Sequence, residues 1–325
     1  MIVTRTPFRI SFCGGGTDLP SYFLENGGCV LSTSIDKYVY ISINPSFDRS
    51  RTVLKYSKVE DVKNLDSINH SIFRETLKRY SVAGVEINST SDIPSGTGMG
   101  SSSSFTVGLL NALRTYKGVP SSKEDLASEA CEMEIDVLKG DIGYQDQYAA
   151  AYGGLNFIEF GKDGRTTVTP VSMSEEDMGR LSDNLLLFYL GGTRDASEVI
   201  HSYSSNAGAM LDKKQKLKDL AYRLRERFEK GDIDALGPIL DEGWKVKKSL
   251  SGSVSSSIID SAYETAMENG ATGGKLLGAG GSGFLLVYAG EGERDAVRSA
   301  MSRYREMPFG LDCEGSKVVY SGKHR

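Results

Sequence analysis

The sequence predicts two domains, with an antiparallel sheet in the first third of the chain and a helix-rich remainder. The chain has 325 residues, whereas a typical domain holds about one to two hundred. Residues 29–35, 38–43 and 85–90 are rich in residues that favour strands, and the last two runs alternate between the two faces of a sheet. Apolar residues recur at helical spacing through most of the second half.

The composition is that of an ordinary globular protein, with 39% apolar and 25% charged residues. The net charge is −5 and no basic block stands out, which disfavours non-specific binding to nucleic acid. No apolar run approaches the roughly 18 residues that span a bilayer, and the N-terminus lacks a charged segment followed by an apolar stretch. The four cysteines and three histidines are scattered, so neither a disulfide framework nor a zinc site is expected. We expect a soluble, cytoplasmic protein that binds neither nucleic acid nor membranes, and a homodimer is left open.

A glycine- and serine-rich segment, residues 94–104, separates the predicted strands from the first predicted helix. Apolar residues at helical spacing begin at Phe105 and continue to Tyr116, and Gly118 ends the helix. A second helix is predicted over residues 122–139. The order of strand, glycine loop and helix is the one that a phosphate site requires.

An unbroken apolar run at residues 185–190 predicts a buried strand, and we place the domain boundary just before it. The predicted domains are residues 1–180 and 181–325. The second domain is predicted to contain helices near residues 196–230, 233–247 and 258–269, a mobile loop at 249–257, a glycine turn and strand within 275–288, and a closing helix and strand.

The strongest local signal is the glycine loop before the first helix. Glycines at alternate positions let backbone N–H groups converge, and the serines that follow occupy a helix N-terminus, where free donors and the helix dipole favour a phosphate. A flexible serine-rich linker is the alternative, but an amphipathic helix follows at once. The loop is not a Walker A motif, because no Gly-Lys-Ser/Thr closes it. The candidate phosphate-binding residues are Pro94, Gly96, Thr97, Gly98, Met99, Gly100, Ser101, Ser102 and Ser103.

A second glycine motif has the spacing of a dinucleotide-binding loop, at Gly278, Gly280 and Gly283. That loop should follow a strand and open a helix, whereas this motif precedes a strand. We therefore expect a tight backbone element, which is either an ordinary turn or a support for the nucleotide site.

Charged residues flank further glycines at the N-terminus and after the second helix. Arg9 and Asp18 surround the triple glycine 14–16, which indicates a sharp bend or close approach to a ligand, with a hairpin turn as the alternative. Glu134 and Asp146 lie near a helix end and beyond a glycine turn, so that the fold could return both carboxylates to the phosphate loop. Solvated surface carboxylates are the alternative.

Together these segments resemble the GHMP small-molecule kinases, the family of galactokinase, homoserine kinase, mevalonate kinase and phosphomevalonate kinase. Three family motifs stand in order, within residues 7–18, 94–102 and 275–284. The resemblance implies a two-domain α+β fold, with a ribosomal protein S5 domain 2-like N-terminal domain and a ferredoxin-like C-terminal domain with extra helices. It also implies ATP, Mg²⁺ and an active site in the cleft between the domains.

The resemblance to galactokinase implies roles for individual residues. Ser102 and Glu134 would hold Mg²⁺, with Ser101 beside them. Asp146 would be the catalytic base, and Arg9 would steady that aspartate and the transferring phosphate. Asp18 would bind sugar hydroxyls in an acceptor site that comprises Gly14, Gly15, Gly16, Thr17 and Asp18. Galactokinase has Glu and His where this chain has Gly15 and Gly16, which counts against galactose as the acceptor.

Within the family the sequence is most similar to the heptose 7-phosphate kinases and next to the fucokinases. This implies transfer of the γ-phosphoryl group of ATP to the anomeric hydroxyl of a sugar phosphate, with an unphosphorylated sugar as the alternative acceptor. A phosphate on the acceptor needs a second cationic pocket, for which Arg194 is the candidate and a surface turn the alternative. A partner-binding protein that has lost kinase activity would not need both Glu134 and Asp146, and a dinucleotide oxidoreductase would need a strand before its glycine motif.

Overall fold

The computed structural model describes residues 1–192 and 207–322, which form two sheets with helices packed against them. The strands β1 to β13 are Ile2–Cys13, Gly28–Pro45, Thr52–Lys55, Val59–Val62, Val85–Ser91, Leu155–Phe160, Thr166–Pro170, Leu185–Tyr189, Ala271–Leu276, Phe284–Ala289, Arg305–Glu306, Leu311–Asp312 and Lys317–Ser321. The helices α1 to α10 are Pro20–Asn26, Ser71–Arg79, Ser101–Lys117, Lys123–Cys131, Gln145–Tyr152, Glu175–Asn184, Ala207–Glu229, Leu236–Lys248, Ser257–Glu268 and Arg294–Ala300. Shorter turns are the 3₁₀ segments Leu65–Ser67 and Ile233–Ala235 and the π-helical segment Glu132–Val137.

The first sheet has nine strands in the described part of the chain, with β13, β1, β2, β5, β3 and β4 in that order across it. Strand β2 also pairs with β6 and β12, and β6 pairs with β7. The pairs are antiparallel except for β3 with β5. The expectation of a mostly antiparallel sheet in the first part of the chain is confirmed.

The two strands predicted at residues 29–35 and 38–43 are one strand, β2, of 18 residues. Its pairing with β1 shifts register between Pro7 and Phe8, opposite the step from Ile35 to Tyr38. A bulge absorbs the residues that interrupt the alternation, and it also accommodates a proline that has no N–H to donate. Strand β1 itself, which carries Arg9, was not among the predicted strands.

Helix α3 packs on this sheet and thereby fixes the glycine loop that precedes it. A Cβ atom on Gly108 would lie 2.8 Å from the Thr6 hydroxyl oxygen, and the Thr4 hydroxyl donates a 2.9 Å hydrogen bond to the Gly108 carbonyl. Glycine at this position therefore lets the helix approach β1 closely.

The second sheet has four antiparallel strands in the described residues, in the order β11, β8, β10, β9. Strand β8 is the buried strand predicted at residues 185–190. The helices predicted near residues 233–247 and 258–269 are α8 and α9. Residues 249–256 form a loop that is anchored by Val254, which is fully buried in a cluster with Trp244.

The chain returns to the first sheet at its end, where β12 pairs with β2 and β13 pairs with β1. No helix among the described residues is long and apolar enough to cross a membrane.

Candidate active site

Arg9 and Asp146 form a bidentate ion pair at the centre of the site. The Arg9 Nε and Nη2 atoms donate to the two carboxylate oxygens of Asp146 at 2.6 and 2.8 Å. Arg9 lies on β1 and is only 5% exposed, whereas Asp146 lies in the first turn of α5. The parallel geometry fixes the orientation of the carboxylate as well as its charge. The third contact of the guanidinium, from Nη1 to the Gly98 carbonyl at 2.7 Å, ties the pair to the glycine loop.

The glycine loop has the conformation that its alternating glycines predict. Gly96, Gly98 and Gly100 all have positive φ, and α3 begins at Ser101 directly after them. A Cβ atom on Gly100 would lie 3.2 Å from a carboxylate oxygen of Asp146, so that this glycine lets the loop pass close to the ion pair. The N-terminal turn of α3 therefore begins beside Asp146, with its free N–H donors available to an anion.

The second glycine motif supports the first. A Cβ atom on Gly98 would lie 2.7 Å from the Leu277 carbonyl oxygen, and one on Gly283 would lie 2.4 Å from the Thr97 carbonyl oxygen. Because backbone meets backbone here, neither loop has room for side chains at these positions. The second glycine segment is therefore packed against the first loop, and its support of a nucleotide site stays a prediction.

Glu134 is a buried carboxylate that faces the first turn of α3. The Ser102 hydroxyl donates to its Oε1 at 2.6 Å, and Gln147 Nε2 donates to its Oε2 at 2.7 Å. Burial raises the pKa of Glu134 above its usual range, although hydrogen bonds from Ser102, Ser103 and Gln147 act in the opposite direction. The predicted second helix is two elements in the structure, α4 and then the π-helical segment that contains Glu134.

Asp18 lies close to Asp146, beside the turn that precedes α5. It is buried, and its carboxylate accepts hydrogen bonds from the N–H groups of Gly16 at 2.8 Å and Gln145 at 3.3 Å. Burial, together with the nearby charge of Asp146, raises the pKa of Asp18. Gly143, just before α5, leaves room for the Asp18 carboxylate, because a Cβ atom there would lie 1.9 Å from it.

A cavity of about 1230 Å³ joins these groups, and residues from both sheets and their helices line it. Most of the predicted site residues face this cavity: Arg9, Gly14, Gly15, Gly16, Asp18, Pro94, Gly96, Gly98, Gly100, Ser101, Ser102, Ser103, Glu134 and Asp146. The fold therefore brings four separate segments of the chain to one cleft.

Three predicted site residues turn their side chains away from the cavity. Thr17 is fully buried, and its hydroxyl exchanges hydrogen bonds with the backbone of Cys29. Thr97 bonds to the Pro94 carbonyl, and Met99 packs in the core. The prediction for Thr97 and Met99 concerns backbone amides and stays a prediction, as does the prediction that Thr17 belongs to the acceptor site. Arg194 lies outside the described residues.

Three lysines that sequence reasoning did not assign to the site also line the cavity, namely Lys214, Lys247 and Lys275. Lys275 Nζ donates to the Ser11 and Phe12 carbonyls at 2.9 and 3.0 Å. Lys247 Nζ donates to the Leu276 carbonyl at 3.2 Å and to the Gly278 carbonyl. The only available sequence signal was the position of Lys275 at the start of the second glycine segment.

Two family models match the chain: the GHMP kinases N terminal domain over residues 68–154 and the GHMP kinases C terminal domain over residues 224–306. The chain is 30% identical to the D-glycero-alpha-D-manno-heptose 7-phosphate kinase of Campylobacter jejuni over 301 residues, which cover 88% of this chain and 89% of that protein. It is 26% identical to the bifunctional fucokinase/GDP-fucose pyrophosphorylase of Arabidopsis thaliana, over 89% of this chain but only 30% of that longer protein.

The fold matches solved structures over nearly its whole length. The crystal structure of a D-glycero-D-manno-heptose 1-phosphate kinase from Bacteriodes thetaiotaomicron aligns with a TM-score of 0.82 and 23% identity, covering 99% of this chain and 100% of that one. The two domain matches, the relative at 30% identity and the motifs gathered at the cleft agree. The chain belongs to the GHMP kinase family and is a phosphotransferase with an alcohol group as acceptor.

Proposed function

We propose that the protein is an ATP-dependent sugar kinase that phosphorylates the anomeric hydroxyl of D-glycero-D-manno-heptose 7-phosphate to give the 1,7-bisphosphate. The observation that carries the reaction is the carboxylate of Asp146, held in a fixed orientation by Arg9 at the start of the glycine loop. The similarity to the C. jejuni heptose 7-phosphate kinase supports the acceptor.

We infer that Asp146 acts as the general base. An anomeric hydroxyl is more acidic than an ordinary alcohol, so a carboxylate suffices to take its proton as the oxygen attacks the γ-phosphorus of ATP. The bond from the γ-phosphorus to the β–γ bridging oxygen breaks, the bond to the sugar oxygen forms, and ADP leaves. The side chain of Asp146 remains 22% exposed, on the cavity side of its ion pair.

The glycine loop and the first turn of α3 would hold the phosphates of ATP. Gly96, Gly98 and residues 100–102 line the cleft, and positive φ at the glycines lets backbone N–H groups converge. Beyond this loop the cavity continues to Tyr56, His70 and Phe105, an aromatic end that suits a nucleoside base.

The residues beside the loop also fit Mg²⁺. This ion commonly binds one or two carboxylates together with substrate phosphates, and the buried Glu134 and the Ser102 hydroxyl supply such a donor set at the phosphate end of the cleft. When bound, Mg²⁺ would offset the charge of the ATP phosphates. Gln147 holds the second oxygen of Glu134, which orients the carboxylate towards Ser102.

The acceptor site is defined by Asp18 and by Gly15 and Gly16. The absence of side chains at the two glycines leaves space in the cavity, since a Cβ atom on Gly16 would meet nothing within 4 Å. The rim therefore has room for a sugar bulkier than a hexose. Arg194 remains the predicted contact for the 7-phosphate.

Fucokinase-like activity on an unphosphorylated sugar is the second candidate, supported by the similarity to the A. thaliana enzyme over most of this chain. An ATP-consumption screen decides between the two, with heptose 7-phosphate, free heptose, mannose and fucose as acceptors and the product position assigned by ³¹P NMR. We expect the highest kcat/KM for heptose 7-phosphate. A higher kcat/KM for an unphosphorylated sugar would overturn the proposal in favour of the second candidate.

A further inference from the structure

Two cleft lysines, Lys247 and Lys275, are held in the same unusual way. Each ammonium group donates to two backbone carbonyls: Lys275 to those of Ser11 and Phe12, and Lys247 to those of Leu276 and Gly278. An ammonium has three donors. Each lysine therefore keeps one N–H beyond its two carbonyl contacts, and both side chains line the cavity.

The pair lies next to Arg9 and the glycine loop. Lys247 contacts the carbonyl of Gly278, whose Cα packs against Gly98, and Arg9 contacts the carbonyl of that same Gly98. Lys275 contacts carbonyls two and three residues beyond Arg9 on β1. Three cations thus approach one short stretch of the cleft from β1, α8 and β9.

The charges of Lys247 and Lys275 are not balanced by carboxylates of the residues that the structure describes. Asp146 is paired with Arg9, and neither Lys247 nor Lys275 has a carboxylate partner among residues 1–192 and 207–322. Burial, with a further contribution from the charges of Lys275 and Arg9, lowers the pKa of Lys247 well below its usual range. A buried cation that has only neutral carbonyl partners is costly, which favours a bound anion as the missing counter-charge.

We propose that Lys247 and Lys275 form a second phosphate-binding site that faces the glycine loop and holds the phosphoryl group of the nucleotide during transfer. Charge spreads over the three equatorial oxygens of that group in the transition state, so that fixed donors on the side opposite the loop would stabilise it. The inference rests on the proposed function only in taking ATP as the donor. It does not depend on which sugar is the acceptor.

The test compares Lys247→Met and Lys275→Met with Lys245→Met as the matched control. Lys245 lies on the same helix as Lys247, but its side chain is 70% exposed and pairs with Asp241. Calorimetry would give the affinities for Mg²⁺-ADP and for Mg²⁺-AMP-PNP, an analogue that carries the γ-phosphate. We expect each cleft variant to lose about 10- to 100-fold in affinity for AMP-PNP, a much smaller loss for ADP, and no change in Lys245→Met.

Turnover supplies the second arm, with the phosphorylated and unphosphorylated acceptors that the wild type accepts. We expect kcat to fall by the same factor for both kinds of acceptor. Equal losses for ADP and AMP-PNP would overturn the proposal, and would assign the lysines a structural role. A loss confined to phosphorylated acceptors would also overturn it, because the pair would then hold the phosphate of the acceptor.

The nucleotide arm separates this proposal from the proposed function, because it requires no acceptor. If no heptose is phosphorylated but the affinity loss is selective for AMP-PNP, the sugar assignment fails and the phosphate site stands. Lys247→Met carries the test should Lys275→Met fail to fold, since Lys275 also joins β9 to the backbone of β1. Thermal melting of each variant checks folding.

Discussion

At the scale of single residues, the site depends on side chains whose partners come from distant parts of the chain. Arg9 and Asp146 are 137 positions apart, yet they form the ion pair that orients the proposed base. Glu134 and Asp18 flank that pair, and each is buried with its own set of hydrogen-bond donors. Such pre-organisation keeps the carboxylates in fixed positions before substrates bind.

Asp146→Asn tests the assignment of the base. The amide keeps the shape of the side chain but cannot accept the proton, so kcat should fall by about 10²- to 10⁴-fold. Affinity for ATP should be largely retained, because the glycine loop and α3 are the proposed nucleotide-binding elements. Steady-state kinetics and calorimetric titration with ATP measure the two effects. Turnover close to that of the wild type would remove Asp146 from the mechanism.

At the scale of elements, two departures from regular structure place the functional groups. The helix predicted over residues 122–139 changes to π-helical geometry at Glu132–Val137, with the Leu138 N–H bonding to the Met133 carbonyl. π-Helical segments are rare in proteins overall, and those that occur often lie at functional sites. Here the wider turn contains Glu134, whose side chain meets the first turn of α3.

The close contact between the two glycine loops is the second of these irregular features. Gly98→Ala tests whether this contact is needed for stability and for ATP binding. A Cβ atom there would lie 2.7 Å from the Leu277 carbonyl oxygen, so one of the two backbones must move. Gly118→Ala is the matched control, since Gly118 has a similar positive φ of 70° and a Cβ atom there would meet nothing within 4 Å.

The free energy of unfolding of Gly118→Ala should fall only by the roughly 1–2 kcal/mol that a left-handed backbone costs a residue with a Cβ atom. Gly98→Ala should lose more than this in the free energy of unfolding, and should also weaken ATP binding at least about tenfold, because the loop that binds phosphate is displaced. Urea unfolding and calorimetry measure both quantities. Equal changes in the free energy of unfolding and in the affinity for ATP for the two variants would show that the close approach of the loops contributes to neither.

At the scale of the whole molecule, the cleft is closed by contacts between the two sheets. Lys275 belongs to β9 of the second sheet and binds the carbonyls of Ser11 and Phe12 on β1 of the first. The last strands of the chain return to the first sheet, so that the polypeptide crosses between the layers more than once. The two sheets that line the site are therefore connected both by the chain crossing between them and by the side chain of Lys275.

The ionisation of Lys275 should appear in the pH dependence of stability. Burial, with a further contribution from the charge of Arg9, lowers the pKa of Lys275 to about 8. Between pH 8 and the ordinary pKa of about 10.4 the unfolded chain therefore binds more protons than the folded protein, and stability due to this group rises with pH.

We expect the free energy of unfolding of the wild type to rise relative to that of Lys275→Met as the pH increases from about 8 to about 10. The comparison with the variant cancels the contributions of tyrosines and cysteines that titrate in the same range. Urea unfolding at several pH values measures the difference, with Lys245→Met as a control that should follow the wild type. A difference that does not change with pH would show that Lys275 keeps its ordinary ionisation.

Local sequence patterns were sufficient for much of the fold and for the ingredients of the site. The antiparallel strands, the glycine loop followed by α3, and the buried strand β8 follow from spacing and residue type, because backbone conformation and amphipathic periodicity are local properties. The glycine motifs together with Arg9, Glu134 and Asp146 also identified the family, since their order along the chain is itself a sequence property.

Tertiary structure decided which of these residues meet and which side chains face the cleft. The bulge that makes β2 one strand, the inward direction of Thr17 and Met99, and the return of the last strands depend on long-range pairing and packing. The same holds for Lys247 and Lys275, which are ordinary lysines in the sequence. They line the cleft only because α8 and β9 direct them towards the carbonyls around the glycine loops and β1.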